Sequence, residues 1–213
     1  MACFITFEGI EGCGKTTQLR LLADNLRGRG HRVTVTREPG GCPIADRIRN
    51  ILLDADNKAM TATTELLLYA AARAQHVAEV IEPALEAGRI VLCDRFTDAT
   101  IAYQGDGRGL DSAVIAELNR LATGRIRPDL TVLVDCPVEV GLARAMERIN
   151  SSHGAREERF ELESLQFHRR VRDGYLKLVE QERERFIVVD GSGSIEETEA
   201  AVAAALLPRL PAG

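Results

Sequence analysis

The sequence predicts an α/β fold built around a parallel β-sheet, in a single domain that spans residues 1–213. Three observations support this prediction. Five short segments rich in Val, Ile, Leu and Phe alternate with longer helical patterns, which is typical of α/β proteins. Most of these segments are nearly continuous apolar runs, which favours parallel strands covered on both faces. Hydrophobic residues make up 45% of the 213 residues, enough for one sizeable core.

The predicted elements follow one another in a regular order. The first strand carries the run FITF and the third carries IVLC, both apolar enough to be buried. We predict strands at residues 3–8, 33–37, 90–94, 131–135 and 186–190. The patterns between them predict helices at residues 15–29, 43–54, 61–86, 112–123, 138–149, 161–184 and 195–207. No repeat, low-complexity tract or linker divides the chain.

Acidic residues end four of the five predicted strands; they are Glu8, Asp94, Asp135 and Asp190. In open parallel sheets, ligands bind outside the carboxyl ends of the strands. These carboxylates are therefore candidate ligands for a metal ion or a substrate hydroxyl, although any single one can equally be a helix cap or a turn residue.

The first strand leads into a glycine-rich loop that matches the pattern G-x-x-x-x-G-K-[ST] and precedes a helix. Backbone N–H groups of such a loop turn inward around a phosphate, and the helix N-terminus adds favourable potential. We expect Lys15 to reach the outer phosphates of ATP, and Thr16 and Asp94 to hold Mg²⁺, partly through water. The predicted ATP-binding residues of this segment are Gly9, Ile10, Glu11, Gly12, Cys13, Gly14, Lys15, Thr16 and Thr17.

Three arginine-bearing segments indicate a second, anionic substrate. TREPGG follows the second strand and carries Arg37, and YAAARAQH places Tyr69 and Arg73 on one helix face. DRFTDATIAYQGDGRG follows the third strand and begins with Asp94 and Arg95. A guanidinium suits two parallel hydrogen bonds to phosphate, and an aromatic ring suits stacking on a base. For each arginine alone a surface salt bridge is the commoner explanation, but three such segments around a phosphate-loop sheet favour a substrate site.

Together these segments resemble the bacterial thymidylate kinases, which have the nucleoside monophosphate kinase fold of the P-loop NTPases. The resemblance rests on FEGIEGCGKTT, the three arginine segments and VVDGSGSIEE, and it covers essentially the whole chain. It implies a three-layer P-loop kinase fold, with a five-stranded parallel sheet in the order 2-3-1-4-5 flanked by helices and a short mobile lid. It also implies a homodimer that transfers the γ-phosphoryl group of ATP to dTMP, giving dTDP and ADP for dTTP synthesis.

The resemblance also implies the roles of individual residues on the dTMP side. Arg95 would hold the dTMP phosphate with Arg37 near it, and Arg95 and Lys15 would both be catalytic. Tyr69 would stack on the thymine, and Arg73 would bond to a thymine carbonyl. The other implied dTMP contacts are Glu11 to the 3′-hydroxyl, Thr100, Tyr103 near C2′, Gln104, and Pro39 in a cis Glu38–Pro39 bond.

The lid implied by the resemblance spans approximately residues 148–160. The phosphate loop contains no arginine, so we expect catalytic Arg156 and Arg159 to neutralise the transferred phosphoryl group, with Arg148 as a third candidate. A solvated helix face rich in Glu and Arg is the alternative interpretation of this segment. We expect the adenine to lie beside the loop after the fifth strand, with Arg144 or Arg148 stacked on its face.

Bulk features limit the class of protein. A net charge of −5 without a long basic run argues against a nucleic-acid partner. The sequence shows neither a basic-then-apolar leader nor a run of about 20 apolar residues, so we expect a cytoplasmic protein without a membrane partner. The five cysteines are expected to be buried, reduced thiols. His31, His76 and His168 are expected to be surface or capping residues.

Three other classes compete with a dTMP kinase. A kinase for another nucleoside monophosphate would share the phosphate loop and differ in its substrate. A P-loop switch or partitioning protein would not need Tyr69, Arg73 and Arg95 around a second pocket. A P-loop ligase or synthetase would lack the AYQGDGRG segment.

Overall fold

A single parallel sheet forms the centre of the computed structural model, which describes residues 2–151 and 159–210. Its strand order is β2-β3-β1-β4-β5, and the predicted fold class is confirmed. The strands are β1 (Cys3–Glu8), β2 (Val33–Arg37), β3 (Ile90–Asp94), β4 (Leu130–Asp135) and β5 (Phe186–Asp190). All four neighbouring pairs are parallel.

Helices connect these strands and cover both faces of the sheet. Within the described ranges they are α1 (Lys15–Gly28), α2 (Pro43–Leu53), α3 (Ala62–His76), α4 (Glu82–Glu86), α5 (Thr97–Thr100), α6 (Ser112–Thr123), α7 (Val138–Ser151), α8 (Leu165–Gln181) and α9 (Ile195–Leu206). Two π-helical segments, Val77–Ile81 and Ile101–Gly107, extend α3 and α5, and a short 3₁₀ turn, Leu207–Arg209, follows α9.

The helix predicted at residues 61–86 is interrupted. It divides into α3, the π-helical segment Val77–Ile81 and α4, and the N–H of Glu82 donates to the carbonyl of Val77 five residues earlier. Pro83 has no N–H to continue the regular α-helical ladder, which accounts for the widened turn just before it.

The segment at residues 97–107 is helical, although the sequence patterns predict no helix there. Gly105 and Gly107 weaken the helical pattern of the sequence. The reason for one of these glycines is packing: a Cβ at Gly107 would lie 2.7 Å from the Phe167 ring of α8. The helix predicted at residues 161–184 begins later, at Leu165, because the Ser164 hydroxyl accepts from the Phe167 N–H at 3.2 Å and caps it.

The apolar core fills two layers, one on each face of the sheet. Phe4 and Val91 lie on one face with Val77 and Ile81 of the π-helical segment. The other layer holds the remaining apolar residues of β1 with α1, α8 and α9. Every residue of β1 is buried, as expected for the central strand of a three-layer fold.

The strand register brings the strand ends to one edge of the sheet. Phe7 and Arg37 both lie beside Asp94, and Asp135 lies beside Asp190. The acidic strand ends and the arginine after β2 therefore meet at the carboxyl edge, where the phosphate loop also begins.

Candidate active site

The phosphate loop occupies residues 9–14, between β1 and α1. Gly12 has a φ of 68°, and a Cβ at this position would lie 1.9 Å from the carbonyl oxygen of Gly141. Only glycine fits such a close approach of two backbones. The Lys15 ammonium donates to the carbonyl of Ile10 at 3.2 Å, so the loop holds its own lysine in place.

The four acidic strand ends have different surroundings. Asp135 forms a two-pronged pair with Arg172 at 2.7 and 2.8 Å, and Asp190 accepts from the N–H of Ser192 at 2.8 Å. The partners of these two carboxylates thus belong to the protein itself. Glu8 is completely buried, and only Asp94 lines the cleft described below.

Asp94 and Thr16 form the oxygen pair expected for Mg²⁺. The Thr16 hydroxyl donates to Oδ2 of Asp94. Hydroxyl and carboxylate oxygens are the hard ligands that Mg²⁺ prefers, and this ion commonly takes few protein ligands and completes its shell with water and phosphate. Among the described residues there is no cluster of three or more His, Cys, Asp or Glu for a metal. The donor set therefore fits a magnesium ion held jointly with a nucleotide.

A cleft of about 940 Å³ extends from the phosphate loop along the carboxyl edge. Its phosphate-loop side is lined by Lys15, Thr16 and Thr17, and its far side by aromatic and arginine side chains. Residues on that far side include Arg37, Pro39, Tyr69, Arg73, Arg95, Tyr103 and Gln104. One continuous cavity is thus lined by residues from both sets that the sequence singled out.

Arg95, on the far side of the cleft, contacts Glu11 of the phosphate loop. It is the one non-glycine residue with positive φ, 70°, among the residues described. Its own N–H donates to Phe7 at 2.9 Å, and the next N–H, of Phe96, donates to Glu8 at 2.7 Å. These bonds hold the backbone in a conformation that a non-glycine residue rarely adopts, which is typical of functional positions.

Three partners hold the guanidinium of Arg95. It donates to the hydroxyls of Tyr103 at 2.9 Å and Tyr175 at 3.2 Å, and to Oε1 of Glu11 at 3.0 Å. The guanidinium also lies over the Tyr103 ring, 4.6 Å from its centroid. The arginine is therefore held in position within the cleft without a ligand.

The carboxylate of Glu11, in the phosphate loop, faces the Arg95 side of the cleft. Its Oε1 accepts from the Tyr103 hydroxyl at 2.6 Å as well as from Arg95. Burial alone would raise the pKa of Glu11, but His168, Arg95 and Lys15 outweigh it and lower this pKa to about 2. Glu11 is therefore an ionised hydrogen-bond acceptor at the junction of the two sides.

Arg73 is buried at the end of the cleft and strongly anchored. Its Nε donates to Glu38 at 2.7 Å, its Nη1 to Asn119 at 2.7 Å, and its Nη2 to the Phe96 carbonyl and Thr100 at 3.0 and 2.9 Å. Among the contacts of the described residues, this leaves one of its five N–H groups, on Nη1, for a ligand.

The prediction that His76 and His168 are surface or capping residues is wrong, because both are completely buried. His76 contacts Glu38 at 3.0 Å and Thr36 at 2.6 Å, so it supports the carboxylate that holds Arg73. His168 lies against Glu11, with 3.2 Å between Nδ1 and Oε2. Single-sequence patterns place both in helices and cannot show which long-range partner they meet.

The remaining residues that the resemblance implies as dTMP contacts are buried to different extents. Tyr69 is partly exposed to the cleft, 6.4 Å from the Phe160 ring between centroids. Thr100 is buried and accepts from Arg73, so its hydroxyl supports that arginine. Gln104 donates to Glu65 at 2.8 Å, and the Glu38–Pro39 bond is cis, as the resemblance implies.

Glu65 is a buried acid that the sequence analysis missed. Besides Gln104, its carboxylate meets Arg108 at 3.1 Å and Arg159 at 2.7 Å. In the sequence it is simply an acidic residue in the first turn of a helix, so no local signal distinguishes it. Tyr175 of α8 was missed for the same reason; its hydroxyl donates to Glu8 at 2.7 Å.

The predicted lid arginines lie in different surroundings. Arg159 is held by Glu65 and by the Leu52 carbonyl at 2.5 Å, and it stacks on the Phe160 ring. Arg148 is exposed and lines the cleft, 3.3 Å from Glu161. Arg156 lies outside the described residues.

Arg144 lies beside the loop after β5, where we expected the adenine. Its guanidinium donates to the carbonyls of Gly191 at 2.6 Å and Ser192 at 2.9 Å. This arginine thus joins α7 to the loop at residues 191–193.

A phosphate loop at the carboxyl edge of a 2-3-1-4-5 sheet defines a P-loop nucleotide-binding protein, and a second arginine-lined pocket in the same cleft is the arrangement of a small-molecule kinase. The family model described as thymidylate kinase matches residues 7–202. A thymidylate kinase of Geotalea uraniireducens (strain Rf4) is 72% identical over 213 residues, covering 100% of both chains. One of Geobacter sulfurreducens is 68% identical over 211 residues, covering 99% of each.

A solved structure agrees with these relatives. The crystal structure of thymidylate kinase from Ehrlichia chaffeensis superposes with a TM-score of 0.77 at 35% identity, covering 97% of this chain and 98% of that one. The chain belongs to the thymidylate kinase family. It is therefore a nucleoside monophosphate kinase that acts on dTMP.

Proposed function

We infer that this enzyme transfers the γ-phosphoryl group of ATP to dTMP, giving dTDP and ADP for dTTP synthesis, within a single domain of residues 1–213. The observation that carries this inference is the shared cleft, in which the phosphate loop and the arginine-lined pocket meet at Glu11 and Arg95. Transfer requires donor and acceptor phosphates to approach each other, and one continuous cavity allows this approach.

On the donor side, we propose that residues 9–17 bind the phosphates of ATP. The backbone of the loop supplies N–H donors, and Lys15 neutralises charge on the outer phosphates. Arg144 and Arg148 are the proposed adenine contacts. The exposed position of Arg148 on the cleft supports its part, and the hydrogen bond of Arg144 to the Gly191 carbonyl, in the loop after β5, supports the other.

On the acceptor side, we propose that Arg95 binds the dTMP phosphate, with the exposed Arg37 near it. The spare N–H of Arg73 suits a carbonyl acceptor on the thymine, and the Tyr69 ring suits its face. In this proposal Tyr103 excludes a 2′-hydroxyl, and Glu11 accepts a hydrogen bond from the 3′-hydroxyl. Thr100, Gln104 and Pro39 complete the pocket, with Thr100 acting through Arg73.

We propose that Mg²⁺ accompanies ATP and is held by Thr16 and Asp94. When bound, the ion neutralises charge on the phosphates and orients them. Arg95 keeps the acceptor phosphate in place, and Lys15 keeps the donor in place. No strong general base is needed, since phosphoryl transfer depends mostly on positioning and charge neutralisation.

We propose that the lid arginines Arg156 and Arg159 neutralise the transferred group, together with Arg148. For Arg159 this requires exchanging its pair with Glu65 for the phosphate, whereas Arg148 already faces the cleft. The proposed lid, residues 148–160, joins α7 to the segment before α8.

We further propose a cytoplasmic homodimer with neither nucleic-acid nor membrane partners. All five cysteines are free and buried, which suits a reducing compartment. None of the helices in the described part of the chain is both long and apolar enough to cross a membrane. Exposed apolar residues on the neighbouring helices α2, α3 and α6 support self-association.

The function is tested by following ADP release and separating the products. With ATP and Mg²⁺, we expect ADP to form only when dTMP is added, in equal amount with dTDP. Lys15→Met removes the charge and should lower kcat by about a hundredfold or more, because the donor phosphates lose a direct cation. ADP formation independent of dTMP, or full activity of Lys15→Met, would contradict the proposal.

A further inference from the structure

The two carboxylate oxygens of Glu11 have unequal surroundings. Oε1 accepts from Tyr103 and Arg95. Oε2 is buried and has no aligned hydrogen bond from any described residue, although Nδ1 of His168 is only 3.2 Å away. His168 is itself completely buried, and within the described residues neither of its ring nitrogens has an aligned hydrogen bond. An imidazole buried in this way is costly unless it serves a neighbouring group.

We propose that His168 is a positioning residue that orients Glu11 toward the sugar of the acceptor nucleotide, and thereby favours substrates that carry a 3′-hydroxyl. The inference rests on the proposed contact of Glu11 with that hydroxyl. A donor at Nδ1 fixes the rotation of the carboxylate about its last bond, because it engages the oxygen that Tyr103 and Arg95 leave free.

The other partners of Glu11 face the cleft and are expected to engage the substrate. When Arg95 turns to the acceptor phosphate, Glu11 loses one of its two cleft-side donors. His168 belongs to α8, is completely buried and does not line the cleft, so its contact persists when the substrate binds. It is therefore a partner that can hold Glu11 without itself contacting the substrate.

The charges around this pair favour an ionised Glu11. Glu11 is faced by two cations and a hydroxyl: Lys15 of α1, Arg95 after β3, and Tyr103 of the π-helical segment. The nearby group of like charge is Glu161, before α8. On the side of α8 itself, the Phe167 ring packs edge-on against the imidazole, with 5.5 Å between centroids. A carboxylate kept ionised in this setting accepts a substrate hydroxyl strongly.

The test compares dTMP with 3′-deoxythymidine monophosphate in steady-state kinetics. His168→Leu removes the donor at similar volume, and His168→Asn places an amide nitrogen near the position of Nδ1. We expect the leucine variant to raise the KM for dTMP about tenfold, the asparagine variant to recover most of this loss, and the KM for ATP to stay within about twofold. For the 3′-deoxy analogue, the leucine variant should change KM by less than about twofold.

Val171→Ala is the matched control, since Val171 is buried on the same helix and has no polar group. It should lower the melting temperature and leave the ratio of the two KM values unchanged. A His168→Leu protein with unchanged KM for dTMP, or with equal losses for dTMP and its 3′-deoxy analogue, would overturn the inference.

Glu11→Ala separates this inference from the proposed function of Glu11. If Glu11→Ala weakens the binding of dTMP and of its 3′-deoxy analogue equally, both proposals fail. If Glu11→Ala weakens dTMP selectively and His168→Leu does not, only the role of His168 fails. If His168→Leu does not fold, ¹⁵N NMR spectra of the wild-type histidines test the role of His168 instead. The signal of His168 is assigned as the one that is missing in His168→Asn. A protonated Nδ1 that shifts with dTMP but not with its 3′-deoxy analogue supports the inference, and an unprotonated Nδ1 overturns it.

Discussion

Arg95 shows how single residues at the carboxyl edge are held by distant parts of the chain. Its left-handed backbone is fixed by bonds to β1, and its guanidinium by hydroxyls from α8 and from the π-helical segment Ile101–Gly107. The sequence motif identifies the arginine as a candidate. It does not identify Glu8 or Tyr175, because the contact between them spans 167 positions and leaves no local pattern.

Glu8 gives a pH-dependent prediction. Burial and the nearby Asp98 raise the pKa of Glu8 from 4.5 to about 8. The folded protein then keeps a proton that the unfolded chain has lost, so this stabilising contribution is present below about pH 4.5 and disappears as pH rises through 8. Glu8→Gln preserves an acceptor for the Phe96 N–H and cannot ionise.

We therefore expect the melting temperature of wild type, relative to Glu8→Gln, to fall by several degrees between pH 5 and 8.5. Thermal unfolding in a pH series, followed by circular dichroism, measures this difference. A difference between the two proteins that does not change with pH would show that Glu8 keeps its ordinary pKa in the fold.

At the scale of elements, the strands were predicted almost to the residue. Four strands have the predicted bounds, and β4 begins one residue earlier, because buried parallel strands are continuous apolar runs with clear ends. The helices were predicted less accurately, because tertiary packing determines where some of them form. The helical segment at residues 97–107 forms because α8 packs on Gly107, a contact invisible in a glycine-rich sequence.

The candidate site was predictable to the extent that it follows motifs. Lys15, Thr16 and Arg95 belong to segments whose spacing is distinctive, and the structure brings these segments to one cleft. Glu65 and His168 belong to ordinary amphipathic helices, and their importance comes only from what the fold places against them.

The lid gives a testable prediction at this scale. We expect Arg148→Ala, Arg156→Ala and Arg159→Ala each to lower kcat about tenfold or more, with the KM for dTMP changed little, because the charge they neutralise develops only during transfer. Arg159→Ala should also lower the melting temperature, since Glu65 loses a buried cation.

The control for this series is Arg27→Ala, an exposed arginine paired with Asp24 in α1. It should change neither kcat nor KM, because exposed pairs of this kind contribute little. An unchanged kcat in all three lid variants would contradict a catalytic role for these arginines.

At the scale of the whole molecule, three neighbouring helices present apolar side chains to solvent. α3 packs against both α2 and α6. The exposed residues on them are Ile44, Ile51, Leu67, Val114 and Leu121, the last with 73% of its surface exposed. A shared apolar face on adjacent helices is typical of a self-association surface.

We expect Leu121→Glu or Leu67→Glu to convert a dimer of the 23.3 kDa chain into a monomer, because each places a charge in an apolar interface. Sedimentation equilibrium measures the mass directly. Ile195→Glu, at a similarly exposed apolar position on α9, is the control and should leave the dimer intact. A monomeric wild type, or dimers in all three variants, would contradict the proposed interface.

The central claim is that the arginine-lined half of the cleft selects dTMP. The most direct test is kcat/KM for dTMP, dUMP, UMP, CMP and GMP with saturating ATP and Mg²⁺. We predict the highest value for dTMP, a drop of about a hundredfold or more for UMP, because we propose that Tyr103 excludes its 2′-hydroxyl, and little turnover of CMP and GMP. Comparable or higher values for UMP, CMP or GMP, or no turnover of dTMP, would contradict the account.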